Sequence, residues 1–398
     1  MKPDGFSKDS PGKVVKIGTG QWAFVPAPLS PRLEIDWSLA SLLAGAQHEL
    51  GALSGYAGNL PNPHLLINPF IRREAISSSR IEGTQASLSE LLLFEATDKP
   101  SNSDVLEVRN YVRALDTGLL RLGKLPVSLR LIRELHATLM DGVRGEQMTP
   151  GKFRRTQNWI GPAGCTLEDA TYVPPPVPQM LECLNRFEGN IHEKSEIPFL
   201  IRLALLHYQF EAIHPFLDGN GRVGRLLITL LMCHAGLLTQ PLLYLSTYFE
   251  RHQEEYYRRL LAVSQDGEWR QWIVFFLTGV VEQSLDAEWC AHRLQALWQD
   301  YQTQFKSARS SALTLKLIDS LFEAPVLTIP RAAELLRVTP RAAALNVQKL
   351  VDAGLLRELP RQGRLRVFLA PGVLEASQAS RPNPTKQTKT GATRRGGA

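Results

Sequence analysis

The sequence predicts an all-α protein that contains one short β-hairpin and ends in a smaller unit of helices and strands. Apolar residues recur at helical spacing over residues 199–213 and fill most of residues 222–234, and both patterns are typical of buried helices. Residues 158–178 differ, because they combine prolines with two short β-prone runs around a glycine-containing connection. That pattern predicts a surface hairpin, or flap, whose prolines confine its strands to an edge.

Local signals also place one helix near the N-terminus. Asn68 and Pro69 suit the cap and the first position of a helix, and Gly83 suits a position just past its end. We therefore predict a helix over residues 69–83, within an N-terminal helical region that covers residues 1–115.

The C-terminal unit is predicted from helix-capping signals and from alternating apolar residues. Its expected elements are three helices followed by two strands, at 312–322, from 328 onward, 340–353, 355–359 and 364–369. This order is typical of a winged helix-turn-helix, which we assign to residues 310–370. Residues 377–398 contain no aromatic residue and are rich in Ser, Pro, Thr and Gly, which predicts a disordered tail.

The basic charge of the chain is concentrated in that tail. The whole chain has a net charge of +6, and the tail has no acidic residue and five basic ones: Arg381, Lys386, Lys389, Arg394 and Arg395. The basic balance therefore says little about the partner of the main body.

Cysteine usage and apolar runs suggest the compartment. The four cysteines are widely spaced and form no CxxC pair, which argues against a disulfide scaffold or a zinc site and suits a reducing environment. The first residues lack the apolar segment of a signal peptide, and no apolar run approaches the roughly 20 residues that span a membrane. We expect a cytoplasmic protein with no membrane partner.

The most informative segment is residues 214–225, with the sequence HPFLDGNGRVGR. Pro215 disfavours helix at the residue before it, so His214 should project from a turn, where its imidazole can exchange a proton near neutral pH. Gly219 and Gly221 permit a tight turn whose N–H groups converge, and the following helix N-terminus adds partial positive charge. Together these features predict a site for phosphate groups.

Charged residues in the same segment strengthen this prediction. Arg222 and Arg225 are three apart, so they share one face of the helix and one pocket. Asp218 offers a hard oxygen ligand for Mg²⁺ that also binds phosphates. The alternative is a glycine-rich turn with a helix cap and solvated arginines, which this combination of a base, an acid, glycines and arginines disfavours.

Residues 214–225 resemble the motif of the Fic family, HPFx(D/E)GNGRxxR, at every defined position. The resemblance extends over roughly residues 35–265, and it implies a Fic helical core at about residues 116–305. It implies that His214 is the general base for AMP transfer from ATP to a Ser, Thr or Tyr hydroxyl, and that Asp218 holds Mg²⁺. It assigns nucleotide and phosphate contacts to Gly219, Asn220, Gly221, Arg222, Val223, Gly224 and Arg225.

A second match lies upstream, where Ser78, Glu82 and Gly83 fit the inhibitory pattern of the family, (S/T)xxxE(G/N). Ser78 and Glu82 are four apart and so share one helix face. In related proteins the glutamate pairs with the second arginine, here Arg225, and withholds it from the γ-phosphate. The resemblance thus implies a self-inhibited class with an N-terminal inhibitory helix. Read alone, the pattern is only a helix end.

The resemblance also suggests how the protein meets its substrates. The flap resembles the hairpin that holds a target peptide in extended form by strand pairing, and self-modification and homodimerisation are further expectations. Tyr257 is our candidate for an adenine or ribose contact, the alternative being core packing or a solvated tyrosine edge. His136 and His207 are expected to be structural.

Two alternatives of different kind stay open. The C-terminal unit has nine basic and five acidic residues over 310–370, with basic wing residues Arg357, Arg361, Arg364 and Arg366, so the chain could be a DNA-binding transcriptional regulator with a Fic sensor domain. It could instead be a Fic enzyme of other specificity, for UMP transfer, phosphotransfer or removal of AMP.

Overall fold

The structure, a computed structural model, describes residues 1–18, 20–29, 33–58, 64–97, 102–143, 148–306, 312–360 and 365–382. Most of these residues lie in helices. The helices, in chain order, are α1 (Trp37–Gly58), α2 (His64–Ile81), α3 (Leu88–Thr97), α4 (Ser103–Leu122), α5 (Leu129–Leu139), α6 (Val177–His192), α7 (Phe199–Ile213), α8 (Asn220–His234), α9 (Ser246–Arg251), α10 (Gln253–Asp266), α11 (Trp269–Lys306), α12 (Ala312–Glu323), α13 (Ile329–Leu336), α14 (Pro340–Asp352) and α15 (Pro371–Gln378).

The strands are short and antiparallel. They are β1 (Gly12–Ile17), β2 (Gln21–Pro26), β3 (Val326–Thr328), β4 (Arg357–Glu358) and β5 (Val367–Leu369). β1 pairs with β2, and the C-terminal three form a sheet in the order β3-β5-β4. None of the helices in the described ranges combines the length and apolar character that a membrane span requires.

The N-terminal hairpin of β1 and β2 was not predicted. Its register pairs Gly12 with Pro26 and Ile17 with Gln21. The signal was present in the sequence, since residues 13–17 and 21–25 are rich in β-branched and aromatic residues and flank a glycine-containing turn. The all-α prediction therefore holds for the core but missed this hairpin.

The predicted flap is looser than a hairpin of two strands. A single antiparallel bridge joins Ile160 and Tyr172, with reciprocal N–H to carbonyl distances of 2.8 and 3.0 Å. Three prolines at 174–176 have no N–H to donate, so pairing cannot continue past the bridge. Helix α6 begins at Val177, so the flap ends slightly earlier than the predicted residue 178.

The predicted helix near the N-terminus begins earlier than Pro69. Helix α2 starts at His64 and carries Pro69 inside it, so the proline costs one backbone hydrogen bond instead of opening the helix. The end agrees with the prediction. The helix stops at Ile81, and Gly83 has a φ of 92°, a left-handed conformation that glycine adopts without strain.

Helix α8 lies at the centre of the core, where α4 and α7 pack against it. Residues 222–232 of α8 are all buried. Gly118 of α4 allows close approach, because a Cβ there would lie 2.7 Å from a methyl carbon of Leu230. This packing fixes the axis of α8, so the residues at its N-terminus have a rigid base.

The C-terminal unit has the predicted helices but a third strand, β3, that was not expected. The C-terminal unit packs directly on the N-terminal region, where Arg72 of α2 donates to the backbone oxygen of Glu323 at 3.0 Å. Its identity as a winged helix-turn-helix stays a prediction.

One prediction about this end of the chain needs correction, and others fall outside the residues that the structure describes. Ser377 lies in α15 and is buried, so the proposed tail begins later than residue 377. Arg361, Arg364, Lys386, Lys389, Arg394 and Arg395 lie outside the described residues.

Candidate active site

His214 occupies the turn between α7 and α8. Its φ of 48° and ψ of 62° are left-handed, as needed to end α7 immediately before Pro215. The ring Nδ1 lies 3.3 Å from the backbone oxygen of Glu211. A carbonyl can only accept, so Nδ1 carries the proton and Nε2 keeps its lone pair. Burial lowers the pKa of His214 to about 4, so the imidazole is neutral at neutral pH.

Asn220 closes the turn from inside. Its side chain accepts from the N–H of Phe216 at 2.8 Å and donates to the oxygen of Phe216 at 2.9 Å. Gly219 has a φ of 78°, which permits the abrupt start of α8. Because the Asn220 amide is buried and engaged, a ligand at this site would meet its backbone instead of its side chain.

The carboxylate of Glu82 lies at the N-terminus of α8, where an anion was predicted. A Cβ on Gly221 would collide with Glu82 Oε1, so only glycine at this position admits the carboxylate. Glu82 Oε1 accepts from Arg225 Nη2 at 2.6 Å. The structure therefore brings together the predicted glutamate, glycine and second arginine.

Ser78 completes the contact between α2 and Arg225. The guanidinium donates from Nε to Ser78 Oγ and from Nη2 to Ser78 O, both at 2.9 Å. Burial raises the pKa of the Glu82 carboxyl, but attraction and hydrogen bonding to Arg225 outweigh it and hold that pKa below its ordinary value. Glu82 is thus an anion at neutral pH.

Arg222 has a different partner. Its Nη1 lies 3.2 Å from Glu107 Oε2 of α4, and Thr84 donates to the same oxygen at 3.1 Å. Glu107 was not predicted, and it lies 115 residues from Arg222 in the chain. No local spacing pattern could have revealed it.

Asp218 lies beside Arg222, with 3.6 Å between Oδ1 and Nη2, and its side chain is 48% exposed. Within the described ranges no group of three or more His, Cys, Asp or Glu residues forms a metal cluster. A single exposed carboxylate fits Mg²⁺, which takes one or two protein carboxylates and completes its shell with water and phosphates. It does not fit a metal held entirely by protein ligands.

Tyr257 lies on α10, and its side chain contacts the end of α2. Its hydroxyl donates to the oxygen of Ile81 at 3.3 Å, and Gln253 Nε2 donates to the same oxygen at 2.7 Å. The Tyr257 side chain is partly exposed (44%). Its nucleotide contact stays a prediction, while its contact with the helix that carries Glu82 is a finding.

Val223 and Gly224 face the protein interior. Val223 is fully buried in the hydrophobic core, and the oxygen of Gly224 lies 3.3 Å from His207 Nδ1. Glu211 packs against Gly224, where a Cβ would collide with its carboxylate. Val223 could thus reach a nucleotide only through its backbone, and the predicted contacts of both residues stay predictions.

His136 has the structural position that was expected, but it contacts the motif directly. The N–H of Gly151 donates to Nδ1 at 2.9 Å, so Nε2 carries the proton and donates to the oxygen of Asp218 at 3.0 Å. Its ring stacks on Phe216 with 3.7 Å between centroids. His207 is likewise in the core, where its Nε2 lies 2.8 Å from the Tyr256 hydroxyl.

Comparison with known proteins identifies two matching regions. The family described as "Fic/DOC family N-terminal" matches residues 40–120, and the "Fic/DOC family" matches residues 126–232. The chain is similar to "Protein adenylyltransferase Fic" of Drosophila grimshawi and of Drosophila virilis, in each case with 28% identity over 213 residues. These matches cover 52% of this chain and 40% of each relative. The chain therefore spans about two fifths of the length of the curated relatives it matches.

A solved structure shows the same fold. The crystal structure of a Fic family protein from Desulfovibrio desulfuricans G20 matches with a TM-score of 0.53 and 19% identity. The match covers 85% of this chain and 98% of that one. At this identity the likeness concerns the fold alone.

Proposed function

Because this chain carries the Fic/DOC family N-terminal and Fic/DOC domains, we propose that it is a protein adenylyltransferase. It would move AMP from ATP onto a Ser, Thr or Tyr hydroxyl of a target protein or of itself. One observation carries the proposal: a carboxylate and a buried arginine meet at the N-terminus of α8, and the neutral imidazole of His214 lies in the turn that leads into that helix. An anion site beside a base is the arrangement that phosphoryl chemistry requires.

His214 is the proposed general base. With Nδ1–H held by the oxygen of Glu211, Nε2 accepts the proton of the attacking hydroxyl. The hydroxyl oxygen then bonds to the α-phosphorus of ATP, the bridging bond between the α- and β-phosphates breaks, and pyrophosphate leaves. The neutral imidazole at neutral pH supports this role.

The N-terminus of α8 and its two arginines would hold the phosphates. Backbone N–H groups there attract anions, and the Arg225 guanidinium suits two-point contact with a terminal phosphate. Asp218 is the residue that would hold Mg²⁺. When bound, that ion neutralises charge that develops on the phosphate oxygens. Its exposed carboxylate, next to Arg222, supports this assignment.

Glu82 is the proposed inhibitor of this reaction. Its carboxylate lies against Gly221 and accepts a hydrogen bond from Arg225 Nη2, so it competes with a phosphate for the same arginine and the same helix end. Ser78 strengthens the block with two further hydrogen bonds to that guanidinium. ATP could then bind only with its phosphates displaced from the productive position.

The target chain is proposed to dock at the flap. The bridge between Ile160 and Tyr172 leaves a short extended edge, and Trp159 and Ile160 are 42% and 37% exposed. An extended peptide could add to that edge. We further propose a cytoplasmic setting, which suits the four free cysteines.

Intact-mass analysis after incubation with ATP and Mg²⁺ tests the proposal. We compare wild type, Glu82→Gly and Glu82→Gly/His214→Ala. We expect Glu82→Gly to gain the mass of one or more AMP groups and the double variant to gain none. If neither variant gains mass, with a cell lysate present as a source of target, protein adenylylation is contradicted.

Parallel incubations separate the alternatives within this class. A gain of mass from UTP in place of ATP would indicate UMP transfer, and loss of AMP from a modified target would indicate removal. The alternative function as a DNA-binding regulator has weaker support in the structure. Arg366 of the wing pairs with Glu358 at 2.8 Å, so its charge is already partly neutralised by a neighbouring carboxylate. Salt-sensitive binding of duplex DNA by the full chain would favour it.

A further inference from the structure

Arg154 lies directly behind the turn that carries His214. Only 1% of its surface is exposed, and each hydrogen bond described for its guanidinium goes to a backbone oxygen. Nε donates to His214 O at 3.0 Å, Nη1 to Thr156 O at 3.2 Å, and Nη2 to Pro175 O. One planar group thus joins the turn of the proposed base to Pro175 of the flap and to Thr156, two residues before the flap begins.

The backbone around Arg154 strengthens this connection. The N–H of Arg154 donates to Pro215 O at 2.9 Å. Asn158 Nδ2 donates to His214 O at 3.2 Å and to Phe216 O at 2.8 Å. Segment 154–158 therefore satisfies three successive carbonyl groups of the turn from behind.

These contacts matter because His214 has a strained backbone. A left-handed conformation costs a non-glycine residue roughly 1–2 kcal/mol, and such a residue keeps it only where surrounding contacts over-determine it. At His214 the backbone oxygen accepts hydrogen bonds from Arg154 and Asn158, which belong to neither α7 nor α8. If they are lost, the imidazole can move while the fold of α7 and α8 persists.

We propose that Arg154 is a positioning residue for the transfer reaction, holding the base of the motif and the target-docking flap at one fixed separation. The inference rests on the proposed function, since it takes His214 as the base and residues 158–176 as the docking segment. Because Arg154 is buried, it would act through His214 O and Pro175 O. Lysine cannot replace it, because an ammonium group lacks the planar fork that reaches three oxygens in different directions.

The test uses the Glu82→Gly chain as parent and adds Arg154→Lys. Arg155→Gln is the matched control, because Arg155 is the adjacent arginine and is exposed. We expect Arg154→Lys to lower kcat about 100-fold, the effect expected from a misplacement of about 1 Å, with the KM for ATP within twofold of the parent. Arg155→Gln should change neither constant.

Two readouts distinguish positioning from general stability. Thermal melting checks that Arg154→Lys is folded, and the imidazole C–H resonances of His214 report its surroundings in each variant. Should Arg154→Lys melt too low for kinetics, Arg154→Gly assayed with added methylguanidine replaces it. We expect the added guanidinium group to restore transfer.

The outcomes separate this inference from the function on which it rests. Displaced His214 resonances in Arg154→Lys, with kcat reduced and KM kept, support the inference. Unmoved resonances with kcat within threefold of the parent overturn it. If the parent itself transfers no AMP, the proposed function fails, and the resonances alone then decide whether Arg154 positions His214.

Discussion

The two arginines of the motif lie three residues apart on α8 and are both buried, but the glutamates that pair with them differ in exposure to solvent. Arg225 is 1% exposed and pairs with Glu82, whose side chain is 34% exposed at the end of α2. Arg222 is 4% exposed and pairs with Glu107, whose side chain is 8% exposed within α4. One carboxylate thus meets solvent and the other lies inside the core.

This difference in exposure indicates which glutamate can move away from its arginine. Glu82 is followed directly by Gly83, and it can move away while Arg225 keeps its two hydrogen bonds to Ser78. Loss of Glu107 would leave Asp218, at 3.6 Å, as the remaining acidic partner of the buried Arg222 among the described residues, and Glu107 also accepts a hydrogen bond from Thr84. We infer that the contact between Glu82 and Arg225 can break to regulate the site, while the contact between Glu107 and Arg222 is kept as part of the fold.

The largest expected effect comes from Glu107→Gln. Removal of one partner from a buried ion pair typically costs about 3–5 kcal/mol of stability, so we expect a large drop in the melting temperature. Glu82→Gln is the matched control, because the Glu82 carboxylate is partly exposed and Arg225 keeps its two hydrogen bonds to Ser78, so the same substitution should cost less stability. Equal losses of unfolding free energy in the two variants would contradict the distinction.

A third carboxylate near Arg225, that of Glu211, should make the stability of the protein depend on pH. Burial raises the pKa of Glu211 to about 7, although Arg225 partly opposes this. The folded protein then holds this proton more tightly than the unfolded chain, so stability is lost as pH rises from about 4.5 to 7. The shift corresponds to roughly 3 kcal/mol at about 1.4 kcal/mol per pH unit.

Glu211→Gln removes that titration. We expect the variant to exceed wild type in unfolding free energy by roughly 3 kcal/mol at pH 8, and by much less at pH 5. Denaturant melts at the two pH values measure this. An effect of Glu211→Gln that is the same at both pH values would show that the pKa of Glu211 is not raised in the folded protein.

The smallest expected effect is that of Ser78→Ala. It removes one acceptor from Arg225 Nε, and a hydrogen bond to a charged group contributes about 1.5–3 kcal/mol. If this hydrogen bond also orients the Arg225 guanidinium toward Glu82, part of that energy stabilises the inhibited state, and self-transfer should rise about fivefold to tenfold in Ser78→Ala. Ser79→Ala is the control, because Ser79 Oγ is buried and has no hydrogen-bond partner among the described residues. An equal rise in both variants would refute a specific role for Ser78.

Sequence reasoning succeeded where the signals are local. The twelve residues 214–225 supplied the turn at His214, the helix that follows it and the shared face of the two arginines. The pairing of Glu82 with Arg225 depended on family resemblance, and the structure places those two side chains in contact. The N-terminal hairpin had a local signal that was overlooked.

Other parts of the site could not be predicted, for a physical reason. Glu107 reaches Arg222 across 115 residues, and Arg154 reaches His214 across 60. A buried carboxylate in the middle of a helix has the same sequence appearance as an exposed one. Their contacts depend on how α4 packs on α8 and how segment 154–158 packs on the turn at His214, and that packing leaves no periodic pattern in the sequence.

The central claim is that Glu82, and not Glu107, restrains the reaction. The direct measurement is the initial rate at which AMP from α-phosphate-labelled ATP is incorporated into the full chain, in wild type, Glu82→Gly and Glu107→Gln. We predict a rise of at least about tenfold for Glu82→Gly, equivalent to about 1.4 kcal/mol, and no rise for folded Glu107→Gln. A rate for Glu82→Gly no higher than wild type, or an equal rise in Glu107→Gln, would contradict the account.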